Sequence, residues 1–284
     1  MTDVVLVTGT DLPVPDEEAP ALVTSLRERG VAAELRSWRE PFDWSAAQLT
    51  VLRSTWDYMS RWTEFLGWCR DVAAVTRLVN PLAIVEWNSH KRYLAELARA
   101  GVPVVPTTVV PEGSPVAVQR AALAAHDGTV VVKPAVGGGA RGAMRAQSDA
   151  PELVQHLAVW DRRGDVLVQP YVSSIATSGE TSLLYFAGRF SHAVRKVPVN
   201  GDYRVQQQYG ASTAPWQPDA AELAVAEASL AAAPAPVTYA RVDLVDLDGQ
   251  PALMELELIE PFLFLEYDPP SADRFIDAVV KELS

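Results

Sequence analysis

A lysine at the end of an apolar strand, directly before a glycine-rich loop, is the feature that most constrains this chain. The strand reads Val130-Val131-Val132-Lys133-Pro134, and the loop reads Val136-Gly137-Gly138-Gly139-Ala140-Arg141-Gly142. A lysine at the end of a buried strand is unfavourable unless it meets an anion. Four glycines in six residues let the backbone approach a ligand and present N–H groups to phosphate oxygens. The pattern predicts a phosphate site, although an ordinary glycine-rich hairpin loop would look similar.

This loop matches neither of two common phosphate-binding motifs. No Gly-Lys-Ser/Thr sequence closes it, so it is not a Walker loop. It lies mid-chain between two predicted strands, so it is not the fingerprint of a dinucleotide-binding Rossmann fold.

Three carboxylates on two neighbouring predicted strands form a second candidate site. Asp243 lies on the strand Thr238–Leu247, and Glu255 and Glu257 lie on the strand Ala252–Ile259. Residues 255 and 257 are two apart, so their side chains share one strand face. Crowded carboxylates repel one another unless a cation neutralises them, and Mg²⁺ favours such oxygen ligands. We predict a magnesium site here; a solvated acidic face is the alternative.

The turn between these strands decides whether the three carboxylates can meet. Asp248-Gly249 is typical of a two-residue hairpin loop. In that register residue 242, and not Asp243, lies opposite Glu255, and Asp243 points to the wrong face. The magnesium site therefore requires an odd-length loop or a β-bulge.

The order of predicted elements divides the chain into three units. Residues 1–82 alternate strands and helices, which is typical of a small, Rossmann-like α/β unit. Residues 83–172 and 173–284 each read as an α+β unit. In the second unit we predict a helix over Ser89–Ala100 and a strand over Val102–Val110.

Two further segments carry candidate nucleotide and phosphate ligands. Gln169, Tyr171 and Val172 follow a strand at the junction of the second and third units, where backbone groups suit an adenine edge; a plain strand exit is the alternative. Arg195 and Lys196 end another strand, and one of them could hold a phosphate or a developing acyl-phosphate charge.

A strand end in the first unit supplies the candidates for holding a substrate. They are Arg53, at the end of the predicted strand Leu49–Arg53, and Trp56, Asp57 and Tyr58, which follow it; all four would face a cleft. The two aromatic residues could instead be buried for packing area alone.

Composition excludes several classes of function. The 284 residues carry a net charge of −12 and no long Lys/Arg run, which argues against nucleic-acid binding. A single cysteine, Cys69, excludes an intramolecular disulfide and a cysteine-based zinc cluster. The N-terminus lacks the basic start of a signal peptide, and no apolar run is long enough to span a bilayer. We expect a cytoplasmic protein with no membrane partner.

Together these residues resemble the ATP-grasp superfamily of ligases. The resemblance covers roughly residues 80–265, in the family's order, and makes 1–82 a pre-ATP-grasp domain. It implies three subdomains, with the nucleotide held between a lid domain, 83–172, and a catalytic domain, 173–284. The ATP ligands that it implies are Lys91 on the helix entering the domain, Lys133, Gly138, Gly139, Arg141, Gln169, Tyr171, Val172 and Glu180 at the ribose. The implied catalytic groups are Lys133, Arg195 and Lys196, and the implied Mg²⁺ ligands are Asp243, Glu255 and Glu257.

Position 257 departs from the family pattern. It is Glu where the wider superfamily usually has Asn. The site is therefore more anionic, and the number of bound metal ions stays open.

Within the superfamily, three segments are most similar to a subgroup near the cyclo-ligases of D-cycloserine biosynthesis: Arg53–Tyr58, Ser191–Lys196 and Met254–Pro261. This implies an ATP- and Mg²⁺-dependent carboxylate–amine ligase that acts through an acyl phosphate on a small amino-acid-derived substrate. The reaction could close a ring, such as O-ureido-D-serine to D-cycloserine. Intermolecular amino-acid or dipeptide ligation, a kinase-like reaction, and nucleotide binding without catalysis are the alternatives. We also expect a homo-oligomer.

Overall fold

A computed structural model describes residues 2–199 and 201–284. The strands are β1 (Thr2–Thr8), β2 (Ala33–Ser37), β3 (Ala47–Ser54), β4 (Arg77–Val79), β5 (Thr108–Val110), β6 (Thr129–Pro134), β7 (Met144–Gln147), β8 (Val166–Pro170), β9 (Glu180–Phe186), β10 (Arg189–Val197), β11 (Ser212–Trp216), β12 (Tyr239–Leu247) and β13 (Gln250–Glu257). The helices are α1 (Glu18–Glu28), α2 (Trp62–Ala73), α3 (Leu82–Asn88), α4 (Tyr93–Arg99), α5 (Val116–Ala124), α6 (Pro151–Trp160), α7 (Ala220–Ala231) and α8 (Ser271–Lys281). In these ranges, every helix is too short or too polar to cross a membrane.

The first sheet is parallel, with the strand order β2-β1-β3-β4. Val4 and Leu6 of β1 pack in a cluster with α1, whereas Val5 and Val7 pack in a cluster with α2. Because helices cover both faces, β1 is a continuous apolar run without polar alternation. The α/β architecture predicted for this part of the chain is confirmed.

The central sheet is antiparallel, with the order β5-β8-β6-β7. Val130 and Val132 of β6 pack in a cluster with α5 and α6. Since side chains alternate along a strand, Val131 and Lys133 lie on the opposite face, which lines a large cleft. This alternation is what brings Lys133 to the cleft.

The third sheet is antiparallel, with the order β11-β10-β9-β12-β13. Helix α7 packs on one face, against Leu244, Leu253 and Leu256 among others. The final helix, α8, packs in the cluster that contains β1 and α1, so the two ends of the chain share a core. The strands of each sheet fall within one of the three units expected from the sequence.

A β-bulge sets the register between β12 and β13. Leu247 pairs with Gln250 across the two-residue loop, but Asp243 pairs with Glu255 because the register shifts beside Leu244. Met254 is the extra residue on the bulged strand. The bulge that the magnesium hypothesis required is therefore present, and Asp243 lies directly opposite Glu255.

Side chains from the segment after the first sheet cover the free edge of β13. Asn80 Nδ2 donates to Leu258 O at 2.9 Å, and Asn88 exchanges hydrogen bonds with Leu256 O and Leu258 N at 2.8 Å each. The Tyr93 hydroxyl accepts from Leu256 N at 3.0 Å. An unpaired strand edge leaves N–H and C=O groups without partners, so these side chains replace a missing strand.

Two predicted elements are wrong. The predicted helix Ser89–Ala100 begins only at Tyr93, because residues 89–92 form a turn in which Lys91 N donates to Ala135 O at 2.9 Å instead of continuing α3. Lys91 therefore lies between helices and not on one. The predicted strand Val102–Val110 is a strand only over Thr108–Val110, since prolines at 103 and 106 interrupt it.

Asn80→Ala should lower the free energy of unfolding by about 3 kcal/mol, since buried polar groups would lose their partners. Asn80 is fully buried and bonds Tyr239 O, Leu258 O and Thr238 N. Urea denaturation measures the change. The control, Gln48→Ala at an exposed position, should change stability by less than about 0.5 kcal/mol. A loss below about 1 kcal/mol at Asn80 would contradict this account of the edge.

Candidate active site

A cleft of about 1130 Å³ lies where the three sheets meet. Of the residues singled out from the sequence, those that line it are Trp56, Tyr58, Lys91, Lys133, Gly138, Gly139, Arg141, Gln169, Tyr171, Val172, Glu180, Lys196, Asp243, Glu255 and Glu257. Residues separated by up to two hundred positions thus share one cavity.

Lys133 brings a cation into the cleft without a fixed counter-ion. Among the described residues, no carboxylate oxygen lies within 4.0 Å of its ammonium group. Burial lowers the pKa of Lys133, and the nearby charge of Lys91 lowers it further, while Glu255 opposes the shift. Such a group favours an incoming anion, because an anion stabilises the charged form.

Lys91 connects the acidic strand to the glycine loop. Its Nζ lies 2.9 Å from Glu255 Oε1 and also donates to Gly137 O. Burial opposes ionisation of Glu255, but the charges of Lys91 and Lys133 lower its pKa overall. The Lys91 ammonium is therefore held between the loop and β13 at the centre of the cleft.

The glycine loop packs closely against other parts of the chain. A Cβ atom at Gly138 would lie 2.5 Å from the Met59 methyl carbon, and one at Gly142 would lie 2.4 Å from the Trp160 ring. Two tyrosines from residues 201–211 reach the loop: the Tyr209 hydroxyl bonds Gly139 O at 3.3 Å and the Tyr203 hydroxyl bonds Ala143 O at 3.0 Å. The loop is thus held from both the first and the third units.

Arg241 neutralises much of the acidic group. Its guanidinium donates to both oxygens of Asp243, at 3.0–3.2 Å, and to Glu257 Oε1. Burial opposes ionisation of Asp243, but Arg241 and then Lys196 outweigh it and lower the pKa to about 2. For Glu257 burial prevails and raises the pKa to about 7.

The donor set for a metal ion is therefore smaller than the sequence suggested. Among the described residues, no three acidic, His or Cys side chains are already gathered as a metal cluster. Asp243 is occupied by Arg241 and by the Ser182 hydroxyl. Within the described ranges, the Oε2 atoms of Glu255 and Glu257 have no hydrogen-bond partner, and both side chains line the cleft. Oxygen donors of this kind fit Mg²⁺ shared with substrate phosphates.

Lys196 and Glu180 form a buried pair. Lys196 Nζ lies 2.6 Å from Glu180 Oε1 and 3.6 Å from Asp243 Oδ1. Burial raises the pKa of Glu180 even though Lys196 opposes it. Both residues line the cleft, but two carboxylates already share the charge of Lys196.

The strand end expected to receive adenine also lies at the cleft. Gln169 is buried and donates to the Thr107 hydroxyl at 2.8 Å. The Arg145 guanidinium lies 4.8 Å from the centre of the Tyr171 ring and 5.1 Å from that of Tyr203. The Tyr171 and Tyr203 side chains both line the cleft at this end.

Arg195 does not face the cleft, in contrast to the prediction. Its guanidinium lies 4.0 Å from the centre of the Trp216 ring, on the face that α7 covers. Lys196, one residue further, takes the opposite face because side chains alternate along β10. We therefore remove Arg195 from the catalytic set.

Two of the four expected substrate residues support the cleft from behind. Arg53 is buried, donates to Pro261 O at 2.9 Å and lies 3.4 Å from Glu18. Asp57 accepts hydrogen bonds from Trp38 Nε1 and Thr10 N, at 2.8 and 3.0 Å. Neither is among the residues that line the cavity, whereas Trp56 and Tyr58 are.

Several residues at the cleft were not found from the sequence. Arg241 lies two residues before Asp243, so their shared strand face was a signal that could have identified the pair. Tyr203 and Tyr209 lie in an irregular segment with no periodic pattern. Glu260 stands within a segment singled out from the sequence, but it had no separate role there.

Comparison with known proteins identifies the family. Residues 4–80 match the family model "D-cycloserine synthetase DcsG, N-terminal domain", and residues 98–241 match "Prokaryotic glutathione synthetase, ATP-grasp domain". The chain is 39% identical, over 97% of its length and 96% of the relative's, to the cycloserine biosynthesis protein DcsG of Streptomyces lavendulae.

Comparison with solved structures identifies the same family. The crystal structure of D-cycloserine synthetase DcsG matches with a TM-score of 0.91 and 37% identity, covering 99% of each chain. A D-alanine–D-alanine ligase from Bacillus anthracis matches with a TM-score of 0.72, covering 100% of this chain and 97% of the ligase; at 15% identity it supports the fold alone. The chain has the ATP-grasp fold and is an ATP-dependent ligase, and it belongs to the family of ATP-grasp enzymes that includes the D-cycloserine synthetase DcsG.

Proposed function

We propose that this ligase closes a ring in a small amino-acid-derived substrate, converting O-ureido-D-serine to D-cycloserine through an acyl phosphate. The observation that carries the proposal is the similarity along almost the whole chain to DcsG, a D-cycloserine synthetase. The cleft supports it, because Lys91 and Lys133 place two positive charges beside the carboxylates of β13.

The first step would be phosphoryl transfer. A substrate carboxylate oxygen bonds to the γ-phosphorus of ATP, the bond from that phosphorus to the β–γ bridging oxygen breaks, and ADP leaves. Lys133, which has no carboxylate partner among the described residues, would hold a phosphate oxygen, and Lys91 would add positive charge. We assign no transfer role to Lys196, because Glu180 and Asp243 already share its charge.

Glu255 and Glu257 would hold Mg²⁺ through their Oε2 atoms, which have no partner among the described residues. When bound, the ion offsets charge on the phosphates. Asp243 would instead fix Arg241, which in turn orients Glu257. Glu180 stays our proposal for the ribose, and the segment at Gln169, Tyr171 and Val172 our proposal for adenine, with Gly138, Gly139 and Arg141 near the phosphates.

The second step would form the ring. The nitrogen bound to the side-chain oxygen attacks the acyl carbon, the bond from that carbon to the phosphate oxygen breaks, and the nitrogen loses a proton. Water then hydrolyses the carbamoyl group: its bond to the ring nitrogen breaks, that nitrogen takes a proton, and the group leaves as carbon dioxide and ammonia. The glycine loop, held by Tyr203 and Tyr209, would keep water away from the acyl phosphate until the ring closes.

We also propose a cytoplasmic location, where ATP and Mg²⁺ are available. The homo-oligomeric state expected from the sequence stays a prediction.

One ADP and one phosphate should appear for each molecule of D-cycloserine, because an acyl phosphate forms and is consumed once. Coupled ADP and phosphate assays beside chromatography of the product measure the ratio. Release of AMP and pyrophosphate would indicate adenylation, and ADP release with an amide to a second amino acid would indicate an intermolecular ligase.

Lys133→Ala should reduce turnover by at least about 100-fold, since an isolated charge at the transferring phosphate is lost. Arg195→Ala is the matched control, because its side chain lies on the other face of the sheet. It should keep turnover within about twofold. An equal loss of turnover in the two variants would contradict the assignment of Lys133 to the cleft and of Arg195 to the opposite face of its sheet. Circular dichroism checks that both variants fold.

Glu257→Gln should raise the Mg²⁺ concentration for half-maximal turnover about 10-fold, since a ligand oxygen loses its charge. Titration of Mg²⁺ after treatment with a chelator measures this. Glu227→Gln, at an exposed position on α7, should leave the requirement unchanged. An unchanged requirement in Glu257→Gln would remove Glu257 from the metal site.

A further inference from the structure

Glu260 differs from the other buried or half-buried carboxylates of the cleft. Each of the others has a cation within 4.0 Å: Glu18 has Arg53, Glu180 has Lys196, Asp243 and Glu257 have Arg241, and Glu255 has Lys91. Glu260 is only 9% exposed and lines the same cavity, yet no cationic group of the described residues lies within that distance. A buried carboxylate without a cation is unfavourable in the empty protein.

Aromatic side chains surround this position. The Trp56 indole N–H donates to Glu260 O at 2.9 Å, which fixes the backbone there. The buried Tyr58 side chain lies near the Glu260 carboxyl, and its ring stacks on Phe65 with the ring centres 4.5 Å apart. The Trp56 and Phe262 ring centres are 6.5 Å apart, and both rings line the cleft.

A buried carboxylate that has aromatic side chains nearby, and no counter-ion among the described residues, matches the chemistry that binds an ammonium group. Aromatic faces attract cations, most strongly when the site is shielded from water. Burial, together with the charge of Glu257, raises the pKa of Glu260 to about 8, while Lys91 and the nearby Tyr58 oppose the shift. An incoming cation would stabilise the ionised carboxylate.

We propose that Glu260, with Trp56 and Phe262 beside it, binds the protonated amino group of the substrate. The proposal rests on the proposed function, in which the substrate is an amino-acid derivative. Glu260 follows Glu257 by three residues, so their backbones are at most about 10 Å apart. In an α-amino acid the ammonium group is on the carbon next to the carboxylate. The substrate ammonium group must therefore bind close to the residues that hold the metal and the phosphates.

The test compares two substrates in Glu260→Gln, which removes the charge and keeps the shape. One is O-ureido-D-serine, and the other is the same acid with hydrogen in place of the α-amino group. In the unchanged enzyme we expect at least a 100-fold preference for the amino substrate in kcat/KM. In Glu260→Gln the KM for the amino substrate should rise at least 10-fold, the analogue should be almost unaffected, and the preference should collapse.

Glu266→Gln is the matched control, because Glu266 is an exposed carboxylate at the edge of the same cavity. It should keep the preference. Should Glu260→Gln fail to fold, Glu260→Asp keeps the charge but shortens the side chain, and it should raise KM for the amino substrate alone.

Binding separates this inference from the proposed function. Titration calorimetry, with a non-hydrolysable ATP analogue present, measures the affinity for each of the two substrates. It therefore gives the preference for the amino group without turnover. Absence of ADP release from the unchanged enzyme would refute the proposed function only. If Glu260→Gln still prefers the amino substrate, the proposed ammonium site is wrong. It is also wrong if kcat falls equally for both substrates while KM is unchanged, because that result would indicate a role for Glu260 in proton transfer.

Discussion

The rest of the site depends on how the free edge of β13 is covered. This strand carries Glu255 and Glu257, and it is the last strand of its sheet. Asn88 and Tyr93 satisfy the backbone groups of Leu256, between the two glutamates. The same short segment contains Lys91. One set of hydrogen bonds thus fixes β13 and positions Lys91, which pairs with Glu255 on that strand. The contacts that cover the strand edge therefore also assemble the site.

Charge balance is the second constraint on the cleft. Three clustered carboxylates suggested that a metal must neutralise them, yet Arg241, Lys91 and Lys196 already do much of this. These cations partly neutralise the cluster, and among the described residues two carboxylate oxygens, Oε2 of Glu255 and of Glu257, still have no partner. Removing one partner of such a pair would leave an uncompensated buried charge. This lowers stability more than replacing both partners with apolar residues.

Local patterns predicted much of the site, and long-range contacts decided the rest. Lys133 was predictable because strand alternation and the glycine loop are local in sequence. Arg195 was assigned to the cleft together with Lys196, although neighbouring residues on a strand point to opposite faces and only one of the two can lie there. Lys91 was placed on a helix, but a hydrogen bond to Ala135, 44 positions away, holds it in a turn. The bulge at Met254 was required by the hypothesis, although no residue in the turn indicated it.

The same limit explains why Glu260 escaped notice: a missing counter-ion is visible only when all neighbours are in place. The described part of the cleft leaves unpaired one group of each sign, the half-buried Lys133 and the buried Glu260. Every other buried or half-buried carboxylate there has a cation within 4.0 Å, although Asp243 and Glu257 share Arg241. A ligand set that carries a phosphate and an ammonium would satisfy both at once. Burial of two uncompensated charges lowers the stability of the ligand-free protein, and ligand binding would recover that free energy. The cleft would therefore be selective for a zwitterionic substrate beside a nucleotide.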